Sequence, residues 1–239
     1  MDFHIAKAFT FDCYGTLIDW ELGIGAVLQE WAKSQRLTVG VERLLAAYAD
    51  AEAHCESRYP DLPYSRLLRM VHREIAELFD LEHNEDFERE LAGSVGSWPP
   101  FPDTVAALKQ LKKTHKLVIV SNVDRRSFAE TANQLKVDFA AVVTAEEVGA
   151  YKPDRRMFER ALSVLEELGV AKNEIVHVAQ SLYHDHVPAK AIGLRTVWVD
   201  RRSGRGGGAA REPDVDVHPD LTVESLAQLA ELVRHEMSE

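Results

Sequence analysis

The sequence predicts an α/β protein with a Rossmann-like parallel sheet core and an inserted all-helical cap domain. Two observations support this prediction. After residue 98, short apolar runs alternate with helical patterns, which is typical of a parallel sheet covered on both faces. Before residue 98, one apolar segment at 5–11 is followed by a long stretch of helical periodicity without a convincing strand. The first strand therefore belongs to the later sheet, and the helical stretch interrupts the core.

The N-terminal elements follow from the spacing of apolar residues. Residues 5–11 are apolar and aromatic and end in polar residues and Gly15, as in a buried strand that enters a tight turn. Apolar residues then recur at helical spacing over residues 23–92, and Pro60 and Pro63 break this pattern. We therefore expect several helices, and no strand, between the first strand and the rest of the sheet.

The segment 98–102 contains three prolines and marks a stiff boundary after the helical stretch. We expect the core to comprise residues 1–18 and 98–239, and the cap to comprise residues 19–97. Beyond the boundary, the predicted strands are 117–120, 141–144, 175–179 and 196–199. The predicted helices are 103–114, 127–136, 154–168, 186–192 and 221–235. Their alternation is that of a parallel α/β sheet.

Composition excludes several classes of partner. The chain has 239 residues, with 39 acidic against 28 basic residues and a formal net charge of −11. We therefore expect no nucleic-acid binding and no binding to an anionic membrane, because both need a basic face. No apolar run approaches the roughly 20 residues of a membrane span. The N-terminus does not resemble a signal peptide, and Cys13 and Cys55 give no disulfide framework, so we expect a cytoplasmic protein.

A glycine- and arginine-rich segment at residues 201–219 has two interpretations. Its glycines could cradle a phosphate, but no Lys-Ser or Lys-Thr pair follows them as in a P-loop. A flexible surface loop is the interpretation that this composition favours.

Polar residues follow the predicted strands at the point where each strand ends. Asp12 follows the first strand, Ser121 and Asn122 follow the second, Lys152 comes shortly after the third, and Asp185 comes shortly after the fourth. In an open α/β sheet, ligands bind beyond the carboxyl ends of the strands. We therefore expect these side chains to converge at one mouth.

These motifs resemble those of a known family. In chain order they are Phe11-Asp12-x-Tyr14-Gly15-Thr16-Leu17, Ser121-Asn122, Lys152-Pro153 and the stretch ending in Asp185. Their order resembles the haloacid dehalogenase-like hydrolase superfamily over the whole chain. The start is similar to the L-2-haloacid dehalogenase (type II) branch, because Tyr14 stands where phosphatases of the superfamily usually carry a second aspartate.

The resemblance implies hydrolysis of small 2-substituted carboxylic acids through a covalent ester. Asp12 would attack the carbon next to the substrate carboxylate and expel the leaving group with inversion. Water activated by Asp185 would then hydrolyse the ester and release a 2-hydroxy acid. Lys152 would lie close to Asp12 and keep its carboxylate ionised. The implied catalytic residues are therefore Asp12, Lys152 and Asp185.

The resemblance also implies a site for a small anionic carboxylate substrate. Thr16, Ser121 and the backbone amide of Asn122 would receive this carboxylate, at a helix N-terminus. Tyr14 and Trp20 complete the expected substrate-binding residues. Donors at this short range can attract one carboxylate even in an acidic protein, because the interaction acts within the Debye length of roughly 8–10 Å.

The motifs predict neither a metal nor a cofactor. Tyr14 cannot act as a carboxylic acid, so cleavage of a phosphate ester would lose its proton donor, whereas a halide leaves without a proton. Gln180 stands where phosphatases of the family tend to carry another aspartate. Asp12 and Asp185 alone provide few of the oxygen ligands that magnesium prefers.

Other reactive residue types in the chain favour ordinary structural roles. His177, His184 and His186 lack the ligand spacing of a zinc site. Cys13 has no histidine or asparagine partner evident in the sequence, so a packed thiol is favoured over a reactive one.

The sequence leaves the substrate open. The alternatives are a hydrolase that cleaves a ring C–N bond, as in azetidine-2-carboxylate, a small-molecule phosphatase and a non-catalytic binding protein.

Arg43 is one candidate for the arginine that the family's cap supplies, and Tyr48 is a candidate to take its place. Tyr64 and Asn84 are further candidates for the pocket wall. The sequence does not fix the oligomeric state; the resemblance allows a homodimer, because homodimers are common among the family relatives.

Overall fold

A six-stranded parallel sheet forms the core of the protein in the computed structural model, which describes residues 1–203 and 213–238. The strands are β1 (Ala8–Phe11), β2 (Lys116–Ser121), β3 (Ala141–Thr144), β4 (Ile175–Ala179), β5 (Arg195–Val199) and β6 (Leu221–Val223). Their order in the sheet is β3-β2-β1-β4-β5-β6. The predicted α/β fold class is therefore confirmed.

The central strand β1 places its carboxyl end at the point where the sheet order reverses. All four of its residues are buried, and Phe9 pairs in register with Leu117 on one side and Val176 on the other. The chain builds outward from β1 to β3 in one direction and from β4 to β6 in the other. Such a reversal opens a crevice at the strand ends, which is where ligands of this architecture bind.

Helices from the part of the chain after residue 98 cover the sheet. They are α5 (Thr104–Leu111), α6 (Arg125–Leu135), α7 (Ala145–Val148), α8 (Arg155–Glu167), α9 (Val187–Ala191) and α10 (Leu226–Glu236). The short helix α7 was not predicted. Its four residues span about one turn, which is too short to show a helical period.

The first strand and the last helix both begin later than predicted. The first strand begins at Ala8 rather than at residue 5, because the amide of Ala6 turns back to the carbonyl of Phe3 before the strand starts. The helix predicted at 221–235 is instead the edge strand β6 followed by α10. Ser225 separates the two elements because its side chain accepts a hydrogen bond from the amide of Gln228 and caps the helix.

The segment between β1 and β2 begins with four helices, as the apolar spacing predicts. They are α1 (Trp20–Ser34), α2 (Val41–Arg58), α3 (Tyr64–Leu78) and α4 (Glu85–Ser94), and Pro60 and Pro63 lie between α2 and α3. These helices fall within residues 19–97, and we refer to them as the cap helices. The predicted domain boundaries themselves stay a prediction. Among the described residues, no helix has the length and apolarity needed to cross a membrane.

Residues 204–212 of the predicted glycine- and arginine-rich loop at 201–219 lie outside the described residues. The part that is described includes Arg201, which anchors the first strand–helix connection. Its guanidinium donates two hydrogen bonds to the carbonyl of Thr16, pairs with Asp103 and lies 4.1 Å from the ring centre of Phe101. This arrangement fixes the backbone close to Asp12.

Gly23 in α1 provides a test of how tightly the cap helices pack on the core. A Cβ atom at this position would lie 2.3 Å from two ring atoms of the buried Trp98. We expect Gly23→Ala to lower the free energy of unfolding by about 1–3 kcal/mol, because a packed interior cannot accept the extra methyl group. Gly93 in α4 is a matched control, because a Cβ there would meet nothing within 4 Å.

Urea denaturation of both variants measures this difference. Gly93→Ala should be neutral or stabilising by up to about 1 kcal/mol, because alanine favours a helix over glycine. Equal stability of the two variants would contradict the close approach of α1 to Trp98.

Candidate active site

A buried ammonium joins two carboxylates at the carboxyl ends of the strands. Lys152 Nζ donates hydrogen bonds to Asp12 Oδ1 and Asp185 Oδ1, both at 2.8 Å, and to the carbonyl of Val120 at 3.1 Å. Asp12, Lys152 and Asp185 are 6%, 2% and 1% exposed. The structure thus brings the three predicted catalytic residues into one cluster, called the Asp–Lys–Asp cluster below.

Local structure explains how each residue reaches the cluster. Asp12 is the first residue beyond β1, and its amide still donates to the carbonyl of Val178 in the neighbouring strand. Lys152 follows α7, and the side chain of Asn122 holds its backbone by accepting from its amide at 2.6 Å and donating to its carbonyl at 3.2 Å. Asp185 lies in a wide helical turn that follows β4.

The surroundings of the cluster shift the pKa values of its two carboxylates in opposite directions. Burial raises the pKa of Asp12 above its ordinary value, and the ammonium of Lys152 only partly offsets this rise. Burial alone would lower the pKa of Lys152, but Asp12 and Asp185 together outweigh it and raise that pKa. Burial alone would raise the pKa of Asp185, but Lys152 and His177 hold it well below its usual range. Lys152 therefore lowers the pKa of Asp12 without cancelling the effect of burial, and the expectation that it keeps this carboxylate ionised stays a prediction.

Thr16 contacts Asp12. Its hydroxyl donates to Asp12 Oδ2 at 2.6 Å and accepts from the amide of Gln180 at 2.9 Å. The side chain is fully buried and does not line the cavity at the cluster. Thr16 therefore orients the Asp12 carboxylate, and its predicted contact with a substrate carboxylate stays a prediction.

Ser121 and Asn122 separate into two roles. Ser121 Oγ is fully buried, lines the cavity and has no hydrogen-bond partner within the described part of the chain. The side chain of Asn122 instead holds Lys152. The predicted helix N-terminus is not at these two residues, because α6 begins at Arg125 and is capped by Asp124, whose carboxylate accepts from the amide of Ser127 at 2.8 Å.

A cavity of about 490 Å³, including its mouth, opens on the cluster. Tyr14 and Trp20 line it, in agreement with their predicted positions. The Tyr14 hydroxyl hydrogen-bonds Thr131 Oγ1 at 2.8 Å, and burial raises its pKa well above the ordinary value. Trp20 meets Tyr48 edge-on, with ring centres 6.2 Å apart.

Two acidic residues of α2 form part of the cavity wall, and sequence reasoning missed them. Glu52 and Glu56 line the cavity together with Tyr64. They lie four residues apart, and Tyr48 lies four residues before Glu52, so the three share one face of the helix. Carboxylates on an otherwise apolar helix face were the signal that could have identified them.

The other candidates from the cap occupy structural positions. Arg43 lies 5.7 Å from the ring centre of Phe79 and does not line the cavity. Asn84 caps α4 by accepting hydrogen bonds from two backbone amides. Within residues 1–203 and 213–238, the cavity wall contains no arginine.

His177 positions Asp185. Its Nε2 lies 3.0 Å from Asp185 Oδ1, and its Nδ1 lies 2.9 Å from Thr10 Oγ1. The described residues contain no group of three histidine, cysteine, aspartate or glutamate side chains arranged to hold a metal ion. Cys13 is fully buried, and burial raises its pKa well above the ordinary value, so its thiol stays protonated and unreactive at neutral pH.

The structure combines a parallel sheet, a helical segment after its first strand and the buried Asp–Lys–Asp cluster. These features define the class of hydrolase that the sequence motifs resemble. The family model for haloacid dehalogenase-like hydrolases matches residues 6–193. The chain belongs to this family.

Curated relatives are of more than one kind. An (S)-2-haloacid dehalogenase of Pseudomonas putida is 22% identical over 238 residues, which cover 94% of this chain and 95% of that protein. The haloacid dehalogenase-like hydrolase domain-containing protein 3 of Danio rerio is 28% identical, over 58% of this chain and 54% of that protein. A phosphoserine phosphatase of Thermus thermophilus is 29% identical, over 66% of this chain and 55% of that protein. The chain thus matches about half the length of two of these relatives.

A solved structure shares the fold over nearly the full length. The L-2-haloacid dehalogenase of Xanthobacter autotrophicus with chloropropionic acid covalently bound has a TM-score of 0.74 and is 22% identical. The match covers 96% of this chain and 98% of that one. At this identity, the likeness establishes the fold.

Proposed function

We propose that this protein hydrolyses small 2-substituted carboxylic acids by the 2-haloacid dehalogenase route, with Asp12 as nucleophile. The observation that carries the proposal is the Asp–Lys–Asp cluster, in which Lys152 lies 2.8 Å from both carboxylates at the edge of the cavity. The full-length similarity to an (S)-2-haloacid dehalogenase supports the same reaction class.

In the first step, a carboxylate oxygen of Asp12 attacks carbon 2 of the substrate from the side opposite the leaving group. The new C–O bond forms as the bond to the leaving group breaks, and the leaving group departs with the electron pair. Thr16 and Lys152 each hold one oxygen of Asp12, at 2.6 and 2.8 Å, and so fix its direction of attack. The hydroxyl of Ser121, which has no hydrogen-bond partner among the described residues, is a side-chain donor for the substrate carboxylate.

In the second step, water attacks the carbonyl carbon of the Asp12 ester. Asp185 Oδ2 is buried, has no hydrogen-bond partner among the described residues and lines the cavity through its side chain, so it can accept a proton of this water. The bond between Cγ and the ester oxygen then breaks, and the proton passes to the released 2-hydroxy acid. Asp12 is regenerated as a carboxylate that carries one oxygen from water, and the second proton of the water is released to solvent.

The site fits a phosphatase less well. Tyr14, which stands beside the nucleophile, has a raised pKa and a partner in Thr131, so it is a poor proton donor for an alcohol leaving group. The two carboxylates of the cluster share the ammonium of Lys152, and they are a poor donor set for magnesium, which prefers several oxygen ligands. These contacts favour a leaving group that departs without a proton, such as a halide.

Single-turnover hydrolysis in ¹⁸O-water tests the ester route. With enzyme in excess over L-2-chloropropionate, we expect the label in Asp12 and unlabelled oxygen in the 2-hydroxy acid, because the product oxygen comes from the carboxylate. Mass spectrometry of the peptide containing Asp12 measures the label, and EDTA in a parallel sample should not change the result. Label found only in the product would show direct attack by water and would refute the ester route.

A further inference from the structure

The wall of the cavity on α2 is acidic and has little compensating charge. Glu52 is 7% exposed, and the hydroxyls of Tyr48 and Tyr64 both donate to its Oε1. No hydrogen bond within the described part of the chain uses Glu52 Oε2. Glu56, whose side chain is 10% exposed, accepts from Asn122 Nδ2 at 3.2 Å.

The cavity as a whole carries more negative than positive groups. Its lining contains four carboxylates, at Asp12, Glu52, Glu56 and Asp185, against Lys152 and one histidine. The ammonium of Lys152 is already shared by the two carboxylates of the cluster.

The histidine of the cavity lining, His184, lies close to Glu56 rather than to Glu52. His184 Nε2 lies 3.6 Å from Glu56 Oε2, and no lysine, arginine or histidine of residues 1–203 and 213–238 lies within ion-pair distance of Glu52. Burial raises the pKa of Glu52 to about 7, and the charge of Glu56 adds to this rise. A buried carboxylate in this position gains stability from any cation that enters the cavity.

Two further residues of the cavity lining, on the core rather than on α2, also indicate a ligand. Ser121 Oγ and Asp185 Oδ2 are both buried and both lack a hydrogen-bond partner among the described residues. Both side chains line the same cavity as Glu52 and Glu56. Buried polar atoms are rarely left without partners, so these atoms point to a polar molecule that lies between the core and α2.

We propose that the substrate is a zwitterion, in which Glu52 and Glu56 bind a protonated amine while the carboxylate faces Ser121. The proposal rests on the hydrolytic function proposed above and adds the class of substrate. An amine satisfies the acidic wall through charge-assisted hydrogen bonds. An acid without an amine brings only a further negative charge into a cavity that holds four carboxylates, so it binds less well.

Two isosteric substrates separate this proposal from an ordinary 2-haloacid site. In 3-amino-2-chloropropionate an ammonium replaces the terminal methyl group of 2-chlorobutanoate, and both compounds lose chloride from carbon 2. We expect kcat/KM to be at least about tenfold higher for the amine, because a hydrogen bond between charged groups contributes that much or more. Chloride release at pH 7 measures both rates.

Variants of the acidic wall identify the groups responsible. Glu52→Gln and Glu56→Gln should each reduce the preference for the amine by at least about tenfold. The fold of the Glu52→Gln variant should be preserved, because the new amide keeps an oxygen that can accept from the two tyrosine hydroxyls. Asp50→Asn is the matched control, because it removes an exposed carboxylate from the same helix, and it should keep the preference.

Binding of the two products tests the proposal without any turnover. By calorimetry, 3-amino-2-hydroxypropionate should bind the unmodified protein at least about tenfold more tightly than 2-hydroxybutanoate. Equal binding, no binding of either compound, or a preference that survives in both glutamine variants would overturn the zwitterion proposal. Selective binding of the amine without chloride release from either substrate would support the cation site and contradict the proposed hydrolysis.

Discussion

Replacing Asp12 by asparagine is expected to abolish hydrolysis, with a fall in kcat of at least about 10⁴-fold. The amide nitrogen and oxygen of asparagine are weak nucleophiles, and within residues 1–203 and 213–238 no other carboxylate is in the same position beside Thr16 and Lys152. Release of the leaving group under substrate saturation measures this loss. Asp138→Asn, at an exposed surface carboxylate, is the control and should keep full activity.

The same substitution is expected to leave the protein at least as stable as before. The pKa of Asp12 is raised in the folded state, so ionisation of this group above that pKa costs stability relative to the unfolded chain. Asparagine carries no charge and removes this cost. Thermal unfolding of the variant therefore separates a missing nucleophile from a damaged fold. An active Asp12→Asn protein would overturn the assignment of the nucleophile.

Replacing Lys152 by methionine is expected to impair both activity and stability. The ammonium is 2% exposed and pairs with two buried carboxylates, so its removal leaves uncompensated negative charge in the interior. Breaking a buried ion pair in this way costs about 3–5 kcal/mol in the free energy of unfolding. We also expect at least about a 10³-fold loss of kcat/KM, because Asp12 loses the donor that holds one of its oxygens. Lys172→Met, at an exposed lysine, is the control.

The pH dependence of the same variant separates its electrostatic effect from a packing defect. The pKa of Asp12 is raised by burial and lowered by Lys152, so activity of the natural protein falls as the pH drops through this raised value. Without the ammonium, the Asp12 pKa rises further, because the attraction from Lys152 is lost while Asp185 still repels the charged form. The acid limb of kcat/KM should therefore move to higher pH in Lys152→Met. An unchanged acid limb would mean that Lys152 does not control the ionisation of Asp12.

Much of the sheet could be predicted from the sequence, because its strands are short apolar runs bounded by polar residues. The predicted bounds of β3 and β4 agree with the structure, β2 extends one residue further at each end, and β5 begins one residue earlier. The edge strand β6 was mistaken for the start of a helix. Its three residues are too few to show alternation, and pairing with β5 decides its conformation.

The members of the site were predictable to different degrees. Asp12, Lys152 and Asp185 follow strands of one parallel sheet, and the carboxyl ends of such strands meet at one edge. The sequence places a hydroxyl at the site, but the direction of its side chain decides whether it faces the substrate or a neighbouring residue. Thr16 and Ser121 were assigned the same role on the sequence, yet one is bonded to Asp12 and the other has no partner among the described residues.

The sequence by itself determined the order of the elements, the helical segment after β1 and the chemical groups at the strand ends. These follow from local periodicity and from the geometry that all parallel sheets share. Only the tertiary structure decided what faces those groups. Glu52 and Glu56 reach the cavity because α2 packs in one orientation over the carboxyl ends of the strands. That orientation results from contacts between residues far apart in the chain, and no local pattern encodes it.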